Sequence, residues 1–295
     1  MDQSAARRTR GFAGALCHDH LVSTGWRDRH ITFEWGRLSV QVAGSGPPIL
    51  LLHGLGGSGR YWAGLGPLLE GSRTLIAPDL AGFGRSDKPA VEYTREFHLE
   101  TLDSLVAALD IEGRVAVAGH SMGGTLAALF ARRHPDTVSA LALVAAPFPR
   151  QQLRPYRLPH GRARVAVYGV VQTLLPVLSP LVRSATFPRA VIADYLRHTV
   201  DSYQKTSHAL LWDPAAADDL NGLDESLRDR PQLLLYSNED TTIAGDSLER
   251  WHAVLPTAEV VLIPGAHQLL LRDHFATLAA WFEGRAAVPE GHPAS

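Results

Sequence analysis

Four apolar runs constrain the fold of this chain more than anything else in its sequence: Ile49-Leu50-Leu51-Leu52, Thr74-Leu75-Ile76-Ala77, Val115-Ala116-Val117-Ala118 and Ala140-Leu141-Ala142-Leu143-Val144. A strand with one face in water alternates apolar and polar residues, whereas a run apolar throughout predicts a strand covered on both faces. Helical patterns lie between the runs. Tyr61, Trp62, Leu65, Leu68 and Leu69 fall on one helical face. A helix with Thr94 as N-cap carries Leu102, Leu105, Val106 and Leu109 inward and is predicted to end around Glu112-Gly113. Buried strands alternating with helices place the chain in the α/β class, with a mostly parallel central sheet and helices on both faces. Residues 29–34 and 37–42 do alternate, and Trp35-Gly36 between them predicts a hairpin at the sheet edge. Two further strands are predicted at residues 233–236 and 259–263, each followed by a helical segment.

The rhythm breaks between residues 148 and 230, where no buried strand is apparent and Pro155, Pro159, Pro176, Pro180, Pro188 and Pro214 interrupt the chain. The expected organisation is therefore an N-terminal tail (1–28), an α/β core in two parts (29–147 and 231–284), an inserted helical cap (148–230) and a C-terminal tail (285–295). Residues 165–182 are apolar, but Gln172, Pro176, Ser179 and Pro180 break the run, so a membrane span is not expected. The 295-residue chain carries 28 Lys and Arg against 30 Asp and Glu. That balance supplies no field to attract nucleic acid or an anionic membrane surface. Arg150, Arg154, Arg157, Arg162 and Arg164 form a local basic stretch, read by default as a solvated surface and more sharply as a docking site for an acyl carrier or another acidic partner.

Cys17 is the only cysteine, so no intramolecular disulfide forms, and a cytoplasmic location is expected. The apolar run from Gly11 to Leu16 is too short for a secretory signal. Cys17, His18 and His20 have no second cluster at ligand spacing, so no metal is expected. The oligomeric state stays open.

Chemistry concentrates at Gly119-His120-Ser121-Met122-Gly123, a G-x-S-x-G segment between a buried strand and a helix. In that context the turn lifts the serine hydroxyl into a cleft above a helix N-terminus. The plainer reading is a Gly-rich helix entry with a solvent-facing serine. His53-Gly54-Leu55-Gly56-Gly57 follows another buried strand and offers backbone N–H groups to an anion, although it lacks the Lys-Ser/Thr ending of a phosphate loop. Asp79 and Asp87 read as turn residues, and His98 as a packing histidine. A catalytic serine requires an imidazole and an orienting carboxylate. Asp240 and His267, each just beyond a predicted strand, supply both in the order Ser, Asp, His.

On His53-Gly54, Asp79-Leu80-Ala81-Gly82-Phe83-Gly84-Arg85-Ser86, Gly119 to Gly123, Asp240 and Gly265-Ala266-His267, the chain resembles the α/β-hydrolase superfamily from about Ile31 to Phe282. The resemblance implies Ser121 as nucleophile, His267 as general base and then acid, Asp240 as the orienting carboxylate, and the backbone N–H groups of Leu55 and Met122 as oxyanion donors. Glu239 adjoins Asp240 as an alternative carboxylate. His252 and His274 are read as helix residues, and His53 and His120 as structural. A serine nucleophile argues against the haloalkane dehalogenase and epoxide hydrolase branches, which use aspartate there. The implied reaction is hydrolysis of a carboxylic ester or lactone of an apolar or aromatic small molecule through an acyl-serine intermediate, without a cofactor. Tyr168, Phe187, Tyr195 and Trp212 are the expected substrate contacts. The alternatives are a carbon-carbon bond hydrolase, or a thioesterase, acyltransferase or cyclase with the same triad; a non-catalytic small-molecule receptor is the reading of a different class.

Overall fold

The computed structural model describes residues 25–111, 113–149, 193–195, 197–243, 245–267 and 274–284. The described strands form one eight-stranded sheet in the order β1-β2-β4-β3-β5-β6-β7-β8. The hairpin of β1 (Arg27–Phe33) and β2 (Gly36–Gly44) is antiparallel and joins β4 (Thr74–Pro78) in antiparallel register. Only β1 is an edge strand there, since β2 is paired on both sides. All other pairings are parallel: β3 (Pro48–Leu52) lies between β4 and β5 (Val115–His120), followed by β6 (Val138–Val144), β7 (Gln232–Tyr236) and β8 (Glu259–Leu262).

The apolar runs are apolar throughout because the sheet feeds two cores. Leu50, Leu52, Val115, Val117, Leu141, Leu143 and Leu234 point into one, against α2 (Arg95–Ala108), α3 (Met122–Arg133) and α7 (Ser247–Val254). Their neighbours Ile49, Leu51, Ala116, Ala118, Ala142, Val144, Leu233 and Leu235 point into the other, against a 3-10 turn (Gly59–Leu65), α1 (Gly66–Leu69) and α8 (Phe275–Phe282). Period-two side chains thus alternate between two dry layers. Each fully buried leucine contributes roughly 1.5–3 kcal/mol of apolar transfer free energy.

Two local expectations need correction. Leu68 is 44% exposed, while Tyr61, Trp62, Leu65 and Leu69 are buried. The 3-10 winding of residues 59–65 turns faster than an α-helix, so the buried stripe does not continue through Leu68. Helix α2 keeps Thr94 as N-cap, its hydroxyl accepting from the Phe97 N–H at 3.1 Å, but it ends at Ala108. Asp110 then takes a left-handed backbone (φ 51°), which turns the chain before the residues where the apolar spacing placed the end.

Between β6 and β7 the described segments are helical: a turn at residues 193–195, α4 (Val200–Ser207), a π-turn (His208–Trp212), α5 (Ala215–Asp218) and α6 (Leu223–Leu227). Leu210, Leu211, Leu220, Leu223 and Leu227 belong to the same core as α3, so the second half of the Pro-broken region packs onto the sheet layers. His98 of α2 is buried, and its Nε2 lies 3.0 Å from the Thr206 hydroxyl of α4, tying this region to the core. The basic stretch from Arg150 to Arg164 and the sites at Cys17, His18 and His20 lie outside the described residues. Among the described residues no helix is long and apolar enough to cross a membrane.

Candidate active site

The carboxyl ends of parallel strands deliver the chemistry to one place, as parallel α/β sheets generally do. Ser121 follows β5 directly and begins α3. Its backbone sits at φ 52°, ψ −126°, a conformation that costs a non-glycine residue about 1–3 kcal/mol. Packing imposes it: the Ser121 N–H donates to Val144 at the end of β6 (2.9 Å), and its carbonyl accepts from Gly124 (2.8 Å). The turn is so tight that a Cβ on Gly119 would lie 2.0 Å from the Gly123 carbonyl oxygen.

His267, beyond β8, comes back over this turn. Its Nε2 lies 2.9 Å from Ser121 Oγ and its Nδ1 lies 2.7 Å from Asp240 Oδ2. Asp240 sits beyond β7, and its other oxygen accepts from the N–H groups of Thr242 (2.8 Å) and Ile243 (3.3 Å). Burial alone pushes this carboxyl up, but the His267 hydrogen bond and charge, with the two amides, outweigh burial and hold it below its ordinary range. An ionised Asp240 only accepts, so Nδ1 of His267 carries the proton. Nε2 is then left to accept from the Ser121 hydroxyl.

The histidine loop is gripped at three backbone points. Glu239 Oε2 accepts from the Gly265 N–H (3.1 Å), and the Ser237 hydroxyl donates to the Gly265 carbonyl. His120 donates from Nε2 to the His267 carbonyl (2.9 Å) while its ring stacks on Tyr61 at 4.7 Å. Burial, reinforced by the neighbouring His267, pushes His120 down to about 3, so it stays neutral. Glu239 is thus a brace for the loop, and Asp240 is the carboxylate that meets the imidazole. The braces at Ser237, Glu239 and His120 carry no motif of their own; the only sequence signal was their adjacency to Asp240 and Ser121.

The glycine loop after β3 forms the facing wall. The Gly57 N–H donates to the Gly54 carbonyl (2.9 Å) with Gly56 at φ 77°, a type II turn with Leu55 and Gly56 at its centre. It lies against the nucleophile: a Cβ on Gly54 would be 3.1 Å from Ser121 Cβ. His53 is buried; its Nδ1–H donates to Gly54 (2.8 Å) and its Nε2 accepts from the Leu80 N–H (2.9 Å), fixing the turn to the loop beyond β4. Among the described residues the N–H groups of Leu55 and Met122 donate to no backbone or side-chain acceptor. Asp79 is a brace, as expected of a turn residue: Oδ1 accepts from Gly59 (2.7 Å), and Oδ2 from the backbone and side chain of Arg85.

Of the expected substrate contacts, Tyr168 and Phe187 lie outside the described residues. Tyr195 is 43% exposed and rests on the Leu55 turn at Gly56. Trp212 is 46% exposed at the end of the π-turn, beside Asp213, whose carboxylate takes Arg95 at the start of α2. Among the described residues no ring contact joins Trp212 to the triad, and no group of three His, Cys, Asp or Glu side chains is placed to hold a metal.

Residues 47–273 match the alpha/beta hydrolase fold family. The chain belongs to that family. Within it, this alpha/beta hydrolase is 36% identical over 106 residues to the 2-hydroxy-6-oxo-6-(2'-aminophenyl)hexa-2,4-dienoic acid hydrolase of Metapseudomonas resinovorans, covering 35% of this chain and 36% of that one. It is 39% identical over 101 residues to Lipase 1 of Psychrobacter immobilis, covering 34% and 32%. The matched stretches thus span about a third of the length of these curated relatives. Among solved structures, the haloalkane dehalogenase DatA of Agrobacterium tumefaciens C58 shares the fold with a TM-score of 0.74 at 22% identity, over 90% of this chain and 98% of that one.

Proposed function

We propose that this alpha/beta hydrolase is a serine esterase acting on carboxylic esters or lactones of apolar or aromatic small molecules. The observation that carries the reading is the hydrogen-bonded line Ser121 Oγ, His267, Asp240 beside a turn whose Leu55 N–H donates to no acceptor among the described residues. In the proposed cycle His267 Nε2 takes the Ser121 proton as Oγ attacks the substrate carbonyl. The tetrahedral oxyanion accepts from the Leu55 and Met122 N–H groups. Collapse breaks the carbon–oxygen bond, and the alcohol leaves with the proton from His267. Water, deprotonated by the same nitrogen, then attacks the acyl-serine, releases the acid and returns the proton to Oγ. Asp240 stays ionised throughout and stabilises the imidazolium. The similarity to a lipase supports ester substrates.

The second reading, carbon-carbon bond hydrolysis by the same residues, is favoured by the similarity to the dienoic acid hydrolase. A panel of esters, lactones, thioesters and vinylogous diketones separates the two, with Ser121→Ala as control. Ester or lactone turnover abolished in Ser121→Ala is the expected result. Turnover of the diketones alone selects the second reading, and turnover unchanged in Ser121→Ala rejects both.

A further inference from the structure

Asp194 is a buried carboxylate that the cycle above leaves unused. Its side chain is 1% exposed, and Oδ2 accepts from the Ser58 hydroxyl at 2.9 Å. Arg60 lies 3.4 Å from the same oxygen, and Arg197 lies 3.7 Å from Oδ1, an oxygen without a hydrogen-bond partner among the described residues. Taking a carboxylate out of water costs several kcal/mol before its partners repay it, so a plain packing role would be met better by an apolar residue.

What Asp194 holds is specific. Ser58 stands at the N-cap position of the 3-10 turn, yet its hydroxyl caps nothing and donates instead to a residue 136 positions away. It follows the Leu55 turn immediately. The next residue, Tyr195, covers the other side of that turn: a Cβ on Gly56 would fall 2.5 Å from its ring. Two successive residues from the chain between β6 and β7 therefore touch the turn on either side of Gly57, with Leu55 next to Gly56. The core side of the turn is held independently by His53 and by Asp79 at Gly59.

We propose that Asp194 and Tyr195 are positioning residues of the oxyanion turn, clamping Ser58 and Gly56 so that the Leu55 N–H stays aimed at the carbonyl attacked by Ser121. The clamp rests on the serine hydrolase reading. Losing it loosens a donor that acts only in the transition state, which lowers kcat and spares substrate binding.

The test measures kcat and KM for p-nitrophenyl butyrate and the inhibition constant of butylboronic acid, whose tetrahedral serine adduct mimics the oxyanion. Rates are taken per active site titrated with a fluorophosphonate, alongside melting temperature. Asp194→Ala and Ser58→Ala are expected to lower kcat about tenfold and to weaken the boronic acid by a similar factor, with KM within about twofold of wild type. Asp194→Asn, which still accepts from Ser58, is expected to regain most of kcat. Ser58→Ala, which deletes a single hydroxyl, carries the test if Asp194→Ala does not fold. A lower melting temperature with kcat per titrated site and boronic acid affinity unchanged would overturn the clamp while leaving the hydrolase reading intact. A wild type without Ser121-dependent ester turnover would instead remove the reading on which the clamp rests.

Discussion

At the residue scale, Ser121 combines its proposed role as nucleophile with a strained backbone, and the two can be separated by mutation. Ser121→Ala removes the hydroxyl and keeps the Cβ that makes φ 52° costly; Ser121→Gly removes both. Both variants are expected to be inactive, with Ser121→Gly the more stable by about 1 kcal/mol in urea titration. Equal stability would show that the turn holds no strain. Asp240→Asn leaves the shape of the triad but replaces an acceptor-only group, so the histidine tautomer is no longer fixed. Its kcat is expected to fall about ten-thousandfold with KM little changed, and a loss under tenfold would reassign the orienting role. The triad was legible in the sequence because each member stands just past its own strand, where parallel sheets present side chains. Asp194 was not legible: its meaning lies in a hydroxyl 136 residues away, and no local pattern signals such a contact.

At the element scale, the elbow works because β5 and α3 meet without side chains between them. Gly119→Ala would drive a methyl to 2.0 Å from the Gly123 carbonyl, which only backbone movement relieves. It is expected to cost about 1–3 kcal/mol or more and to displace Ser121, so stability and kcat fall together. Unchanged stability would mean that the turn is looser than described. The interior strands were readable because side chains directed alternately into two dry cores leave no polar positions. The edge of the sheet was less so: in β8, Val260 and Leu262 are exposed, though the run reads as apolar as its neighbours. Spacing alone also missed the 3-10 winding that turns Leu68 outward and the left-handed Asp110 that follows α2, since both depend on how the chain must reach its next strand.

At the scale of the whole molecule, buried neutral histidines set the response to acid. Burial pushes His98 and His120 down to about 3 and His198 to about 4, from an ordinary value of 6.5. Below 6.5 the unfolded chain takes up protons that the folded chain refuses, so stability is full above that pH and is lost progressively as pH falls toward the folded values. The urea midpoint is therefore expected to decline from about pH 6.5, above the carboxylate range, and His98→Gln to reduce the slope by about one proton. A midpoint flat between pH 7 and pH 5 would contradict this. The carboxyl end of Asp240 adds a second phase with the same sign at lower pH, because its folded value is depressed and its contribution disappears only as it protonates.

The proposed function stands or falls on Ser121 acting as a nucleophile activated by His267. The most direct measurement is stoichiometric labelling by a fluorophosphonate, read by peptide mass spectrometry in wild type, Ser121→Ala and His267→Ala. One label per chain on Ser121, absent from Ser121→Ala and slowed at least about a hundredfold in His267→Ala, is the expected result. Labelling that persists in Ser121→Ala, or ester turnover by a wild-type protein that the probe leaves unmodified and uninhibited, would contradict it.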